Sequence, residues 1–151
     1  MIKYYYTTSC GSCRKGKYWL QNNNLEFNEI NLITSPPTRE EILHMFYLSD
    51  DGPEAIISKR GDAFVNLGVD TSKLTTEELA AFIQKYPQVL RRPLIVDDTH
   101  LQIGFNEDDI RQFLPRPIRR AKLSMALDEL NSFAEVVSPD DVKYEFDYLN
   151  K

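Results

Sequence analysis

Cysteine and histidine are nearly absent. The 151-residue chain has two of each, and both cysteines fall in one stretch, TTSCGSCRKGKYWL, as Cys10 and Cys13. So few cysteines exclude the multi-bridge framework of a small secreted domain. The histidines, His44 and His100, are far apart in sequence, so a four-ligand zinc site at the cysteine pair would need folding to gather both. No apolar run approaches the roughly 20 residues of a membrane-spanning helix, and the opening MIKYYYTTSC lacks the charged-then-apolar pattern of a signal peptide. The expectation is a cytoplasmic protein with no membrane partner. In that compartment structural disulfides are rare, and a close cysteine pair is redox-active or metal-binding.

An excess of positive charge is missing too. The net charge is −5, which argues against independent tight binding to DNA, since proteins that neutralise many phosphates are usually basic. The charge is unevenly spread, however. Residues 1–20 carry Lys3, Arg14, Lys15 and Lys17 and no acid. Residues 111–122, RQFLPRPIRRAK, carry Arg111, Arg116, Arg119, Arg120 and Lys122 and no acid. Residues 128–151 hold seven acids against Lys143 and Lys151. The basic patches permit DNA contact if another molecule brings the protein there.

Hydrophobic residues make up 42% of the chain, enough for the core of one domain. Ile2–Tyr6 reads as a buried strand, residues 12–22 as a helix with Tyr18 and Leu20 or Trp19 facing a core, and 25–32 as a second strand. Asn22–Asn24 ends the helix, because asparagine tolerates left-handed backbone. Strand, helix and strand make a βαβ unit with parallel strands. Thr38 with Glu41 and Thr75 with Glu78 have capping-box spacing, and each opens a helix. Ile42, Met45 and Phe46 line one of these helices, and Leu79, Phe82, Ile83 and Tyr86 the other. Between them, PEAIISKRGDAFVNLGV reads as two short helical pieces. Leu94–Val96 and Leu101–Ile103 read as a hairpin turning at Asp97–Thr99. NEDDIRQFL is a further helix capped by Asn106, and a longer helix follows Pro115 and Pro117. The expected class is α/β: a thioredoxin-like mixed sheet with an inserted helical subdomain, in one domain over 1–151. Residues 1–34 and 87–120 form the sheet-bearing redox half, 35–86 the helical insertion, and 121–151 a C-terminal helix and acidic tail. In that plan a cis-proline precedes the third strand, where Pro93 stands.

Cys-x-x-Cys at a strand-to-helix turn puts a thiol at the positive end of a helix, beside Arg14, Lys15 and Lys17, and this environment favours thiolate. Thiolate is the nucleophile of disulfide exchange. On this reading Cys10 is the exposed thiol and Cys13 the resolving one. A zinc site and an inert buried pair are the alternatives. Arg14, Arg60 and Arg92 are candidates for an anion site near Cys10, because a guanidinium offers forked donors to oxyanions. Arg92 precedes Pro93 and is held extended by it.

Cys10-x-x-Cys13-Arg14, SDDGP with Gly52, EAIISKRGDAF, VLRRPLIVDD and LQIGFNEDDIRQFLPR together resemble the Spx group of the arsenate-reductase-like family, over about residues 1–130. The resemblance implies a regulator, not a catalyst, with no cofactor and no metal. It implies binding to the C-terminal domain of the RNA polymerase α subunit, and altered promoter use under thiol-oxidative stress, with the Cys10–Cys13 disulfide as the switch. Gly52 then falls at the α-contacting position and Arg92 at the redox-responsive one, and promoter DNA is met only with polymerase, near the 111–122 run. A protease and its adaptor are implied partners, read partly at the C-terminus, where AEVVSPDDVKYEFDYLNK is longer than the group's short tails. The arsenate reductases of the same fold use one cysteine and three arginines. Cys10, Arg60 and Arg92 match three of these residues, but QIGFNE, where the third arginine is expected, has none. A general thiol-disulfide oxidoreductase is the other alternative.

Overall fold

The run IKYYY forms β1 (Ile2–Tyr6), the strand on which the architecture turns. The structure is a computed structural model that describes residues 1–136. The rest of the C-terminal tail lies outside the described residues. The chain separates into one unit, Met1–Phe113, and a second that begins at Leu114.

In the first unit β1 is followed by α1 (Gly11–Asn22), β2 (Phe27–Asn31), α2 (Arg39–Leu48), α3 (Asp62–Leu67), α4 (Thr76–Lys85), β3 (Leu94–Val96) and β4 (Leu101–Ile103). Short 3-10 turns stand at Pro53–Ile56, Thr71–Lys73, Pro87–Val89 and Asp109–Phe113. The sheet order is β2-β1-β3-β4. β1 runs parallel to β2, with Tyr4 opposite Glu29, and antiparallel to β3, with Tyr4 opposite Ile95. This is the mixed thioredoxin-like sheet, with the helical stretch between β2 and β3. The Arg92–Pro93 peptide, just before β3, is cis.

Alternation along β1 sends successive side chains to opposite faces. Both faces are covered, so both sets are apolar or aromatic. Ile2 and Tyr4 pack with Leu20, Ile95, Ile110 and Phe113 on one side. Tyr5 packs on the other with Leu32, Ile42, Met45, Ile83 and Leu94. The buried stripe of α1 is Cys13, Gly16 and Leu20, so Tyr18 is 66% exposed rather than in the core. Asn24 takes a left-handed φ of 55° after α1, as asparagine allows.

Both expected helix starts are present. At α2 the box is complete: Glu41 N–H donates to Thr38 Oγ1 at 3.2 Å and Thr38 N–H to Glu41 Oε1 at 3.1 Å. At α4 the Glu78 N–H donates to Thr75 Oγ1, also at 3.2 Å. Asn106 does cap the next element, accepting from the N–H groups of Asp108 and Asp109. That element is a short 3-10 turn and not an α-helix, and its buried residues, Ile110 and Phe113, stand three apart on one face of it.

The second unit holds α5 (Arg116–Val136), with Pro117 inside its first turn, where no backbone donor is needed. Leu123, Leu127 and Leu130 share one face of it and are each at least 51% exposed.

Glu41 also reaches the sheet, accepting from Lys3 Nζ at 2.9 Å and from the Tyr5 hydroxyl. Burial disfavours its carboxylate, but the bonds from Tyr5, Lys3 and the Thr38 backbone outweigh burial and lower its pKa from 4.5 to about 2. A depressed carboxylate stabilises the fold above its unfolded pKa, and that contribution is lost as pH falls through the folded value. Urea titrations across pH should therefore show stability falling between about pH 4.5 and 2. Glu41→Gln should cost about 1.5 kcal/mol at neutral pH and flatten that acid limb.

Candidate redox site

β1 ends at Tyr6 and α1 begins at Gly11, with Ser9 at a left-handed φ of 61° making the corner. Few residues other than glycine adopt that conformation. It turns the chain so that Cys10 becomes the N-cap of α1, with φ −111° and ψ 110°. A serine or aspartate oxygen usually caps a helix. Here the Cys10 sulfur does so, accepting from the Cys13 N–H at 3.1 Å. Both cysteines are free thiols; Cys10 is half-exposed and Cys13 only 4% exposed.

The two thiols thus stand in different surroundings. Burial pushes the Cys13 thiol up from 9.0 to about 12, and its hydrogen bond to Cys10 adds to this. The Thr7 backbone and the Arg92 charge pull the other way but do not prevail. Cys13 therefore stays protonated at neutral pH.

A cleft of about 260 Å³ opens at the pair, lined by Tyr4, Tyr6, Thr7–Cys10, Cys13, Arg14, Lys17 and Glu29. Lys17 pairs with Glu29 across it at 2.9 Å. Arg92 stands at the rear of the turn, donating from Nη1 to Thr7 Oγ1 and from Nη2 to the Gln88 carbonyl, both at 3.1 Å. Arg14 and Arg92 are thus brought to the cysteines. Arg60 lines a different cleft, with Lys59, Arg91, Asp51 and Glu54.

Gly52 ends the turn after α2 with φ 91°, and an added Cβ would meet nothing within 4 Å, so the position faces open space. Of the basic run, Arg111 is exposed in the first unit, and Arg116, Arg119, Arg120 and Lys122 are exposed on α5 in the second. Arg116, Arg119 and Arg120 share a helix face by their spacing.

Each histidine bonds a different group of Asp97, and neither is among the residues that line the cysteine cleft. His44 Nε2 lies 3.1 Å from the Asp97 carbonyl oxygen, and His100 Nδ1 lies 3.1 Å from its carboxylate. No group of three or more His, Cys, Asp or Glu side chains suited to a metal ion occurs among the described residues. No described helix is long and apolar enough to cross a membrane.

Two site residues escaped the sequence reading. Thr7 anchors Arg92, and Tyr4 donates a buried hydrogen bond to the Cys13 carbonyl. The available signal for Tyr4 was Gly16, a glycine in mid-helix that needs a packing reason.

Comparison with known proteins places this geometry. The ArsC family model matches residues 5–113. The Global transcriptional regulator Spx 1 of Lactococcus lactis subsp. lactis (strain IL1403) is 46% identical over 85% of this chain and 100% of its own length. The Global transcriptional regulator Spx of Streptococcus mutans serotype c (strain ATCC 700610 / UA159) is 43% identical over 93% of this chain and 100% of its own. Among solved structures, an ArsC family related protein from Bacteroides fragilis superposes with a TM-score of 0.66 at 24% identity, over 74% of this chain and 95% of its own. An arsenate reductase from Vibrio cholerae gives a TM-score of 0.60 at 20% identity, over 74% and 92%. At such identities these two structures speak for the fold alone.

The difference between the thiols is directly measurable. Limited alkylation with iodoacetamide at pH 7, followed by peptide mass mapping, should modify Cys10 while Cys13 stays unmodified. The Cys13 rate should climb about tenfold per pH unit toward its value of about 12.

Proposed function

The chain belongs to the ArsC family, beside its Spx regulators, and from that premise we propose that it is a redox-sensing transcription regulator and not an enzyme. It binds the C-terminal domain of the RNA polymerase α subunit and alters promoter use under thiol-oxidative stress, with a Cys10–Cys13 disulfide as the switch. The observation that carries this reading is the pair itself: an accessible sulfur capping α1 and a buried partner thiol one turn on. Such a pair takes an oxidant at Cys10 and closes through Cys13.

Other features support the same reading. Gly52 keeps an open surface at the end of α2, a place where close backbone approach by a partner needs no side chain. Arg92 is held at the cysteine turn by Thr7 and Gln88, where it responds to a change in sulfur charge. An acidic protein with basic residues at Arg111, Arg116, Arg119, Arg120 and Lys122 suits DNA contact in company with polymerase. Oxyanion reduction would call for several arginine forks converging on Cys10, whereas Arg60 lies in a cleft with Lys59 and Arg91.

A pull-down against purified α C-terminal domain, with and without reductant, tests the proposal. Binding should differ between the two states. A repositioned charge-assisted contact at Arg92 is worth about 1.5–3 kcal/mol, hence roughly a tenfold to hundredfold change in affinity. Gly52→Arg should abolish binding while the circular dichroism spectrum is kept. Arg92→Ala should retain the disulfide but lose the redox dependence. Equal binding in both states would sink the switch, and arsenate-dependent thiol consumption would favour a reductase.

A further inference from the structure

Tyr4 belongs to a strand, yet its side chain ends inside the backbone of α1. Its hydroxyl donates to the Cys13 carbonyl oxygen. That carbonyl lies in the first turn of α1, so the phenol is tied to the helix backbone itself. Gly16 makes the seat. A Cβ there would lie 2.6 Å from the Tyr4 hydroxyl oxygen and 3.3 Å from its Cε2. A mid-helix glycine works against helix formation, and the phenol is the reason for it here. Phe27 of β2 holds the ring from another side, edge to face, with centroids 5.7 Å apart. Tyr4 itself is 1% exposed, so its hydroxyl has no water to turn to.

The clamp bears on one cysteine of the pair. The Cys13 main chain is tied to the central strand, while Cys10 stands at the accessible edge of the turn. Closing a disulfide brings the Cys13 sulfur to Cys10, and the peptide that carries that sulfur is the one Tyr4 holds. We propose that Tyr4 is a positioning residue for the Cys10–Cys13 pair: seated on Gly16, it holds the Cys13 peptide in its dithiol arrangement and so makes the disulfide harder to form. The inference rests on the redox reading of that pair.

The chemistry it governs is thiol–disulfide exchange with a low-molecular-weight disulfide. The Cys10 thiolate attacks one sulfur and expels a small thiolate. Cys13, on losing its proton, attacks the Cys10 sulfur and expels the second. Two electrons and two protons leave the pair, and the small disulfide becomes two thiols. Burial raises the Tyr4 pKa, and charge at Cys13 raises it further, so the phenol remains a hydrogen-bond donor throughout.

Equilibration of the full chain in glutathione redox buffers, read by alkylation and intact mass, tests this. Tyr4→Phe should shift the dithiol–disulfide equilibrium about tenfold toward disulfide, a potential lower by about 30 mV. The double variant Tyr4→Phe with Gly16→Ala puts a methyl where the hydroxyl stood. It should recover the melting temperature yet keep the shifted equilibrium, which a role in packing alone would not produce. A Tyr4→Phe equilibrium within about threefold of wild type, or a double variant that returns to the wild-type equilibrium, overturns the inference and leaves the redox reading standing. A wild-type protein that forms no disulfide in any buffer overturns both.

Discussion

Two buried phenol hydroxyls on adjacent residues tie the layers of the first unit to its central strand. Tyr4 reaches α1 and donates to Cys13; Tyr5 reaches α2 and donates to Glu41. A buried hydroxyl left without a partner costs about 1–3 kcal/mol, so neither helix can slide along β1 without leaving one orphaned. Apolar packing alone tolerates such slippage far better than a hydrogen bond does. This explains why a strand that could have been valine and isoleucine throughout carries tyrosines at its two most buried positions. It also explains two other residues. Gly16 is small because a phenol lies on it, and Glu41 completes the capping box of α2 with one oxygen while the other serves Lys3 and Tyr5.

The two sulfurs of the cysteine turn stand in different surroundings. The Thr7 backbone and the Arg92 charge favour thiolate at Cys13. At Cys13 burial is the larger effect and its pKa rises to about 12. Cys10 is only half-buried, and its sulfur takes the Cys13 N–H, one of the orphan donors of the first turn. One structural fact, that the turn buries its second cysteine and exposes its first, therefore separates the roles of an otherwise symmetrical motif.

Much of this was legible in the amino-acid sequence, and the reasons are local. Leu94–Val96 and Leu101–Ile103 were marked by apolar runs around a turn, and the helix starts at Thr38 and Thr75 by side chains that bond their own neighbours. Cys10 and Cys13 are three apart, so their placement needed only a strand, a corner and a helix. What was not legible depended on distant parts of the chain. Tyr18 and Leu20 are equally plausible core residues until Cys13 and Gly16 set the buried face of α1. Asp109–Phe113 is a short 3-10 turn and not the helix its residues suggest, with Ile110 and Phe113 buried on one face. Arg60 has no spacing to tie it to Cys10, and the turn at Pro53–Ile56 carries it toward Arg91 instead.

The same strand gives the cysteine turn and the Gly52 turn a common neighbour. Cys13 is bonded to Tyr4, and α2, which ends at Leu48 with Ser49 as its C-cap, is bonded to Tyr5. The Ser49 hydroxyl donates to the Gly52 carbonyl at 2.7 Å, so that turn is part of the end of α2 rather than a loose loop. Contiguity of this kind is not itself coupling; coupling requires that the two redox forms differ in what they ask of β1. If they do, linkage makes the effect reciprocal: whatever factor the disulfide contributes to a partner's affinity, the bound partner returns to the stability of the disulfide. A protein with this arrangement can then act without turning over a substrate. On the proposed reading its output is the difference between two surfaces, and the oxidant enters at the half-buried Cys10 and not at the buried Cys13.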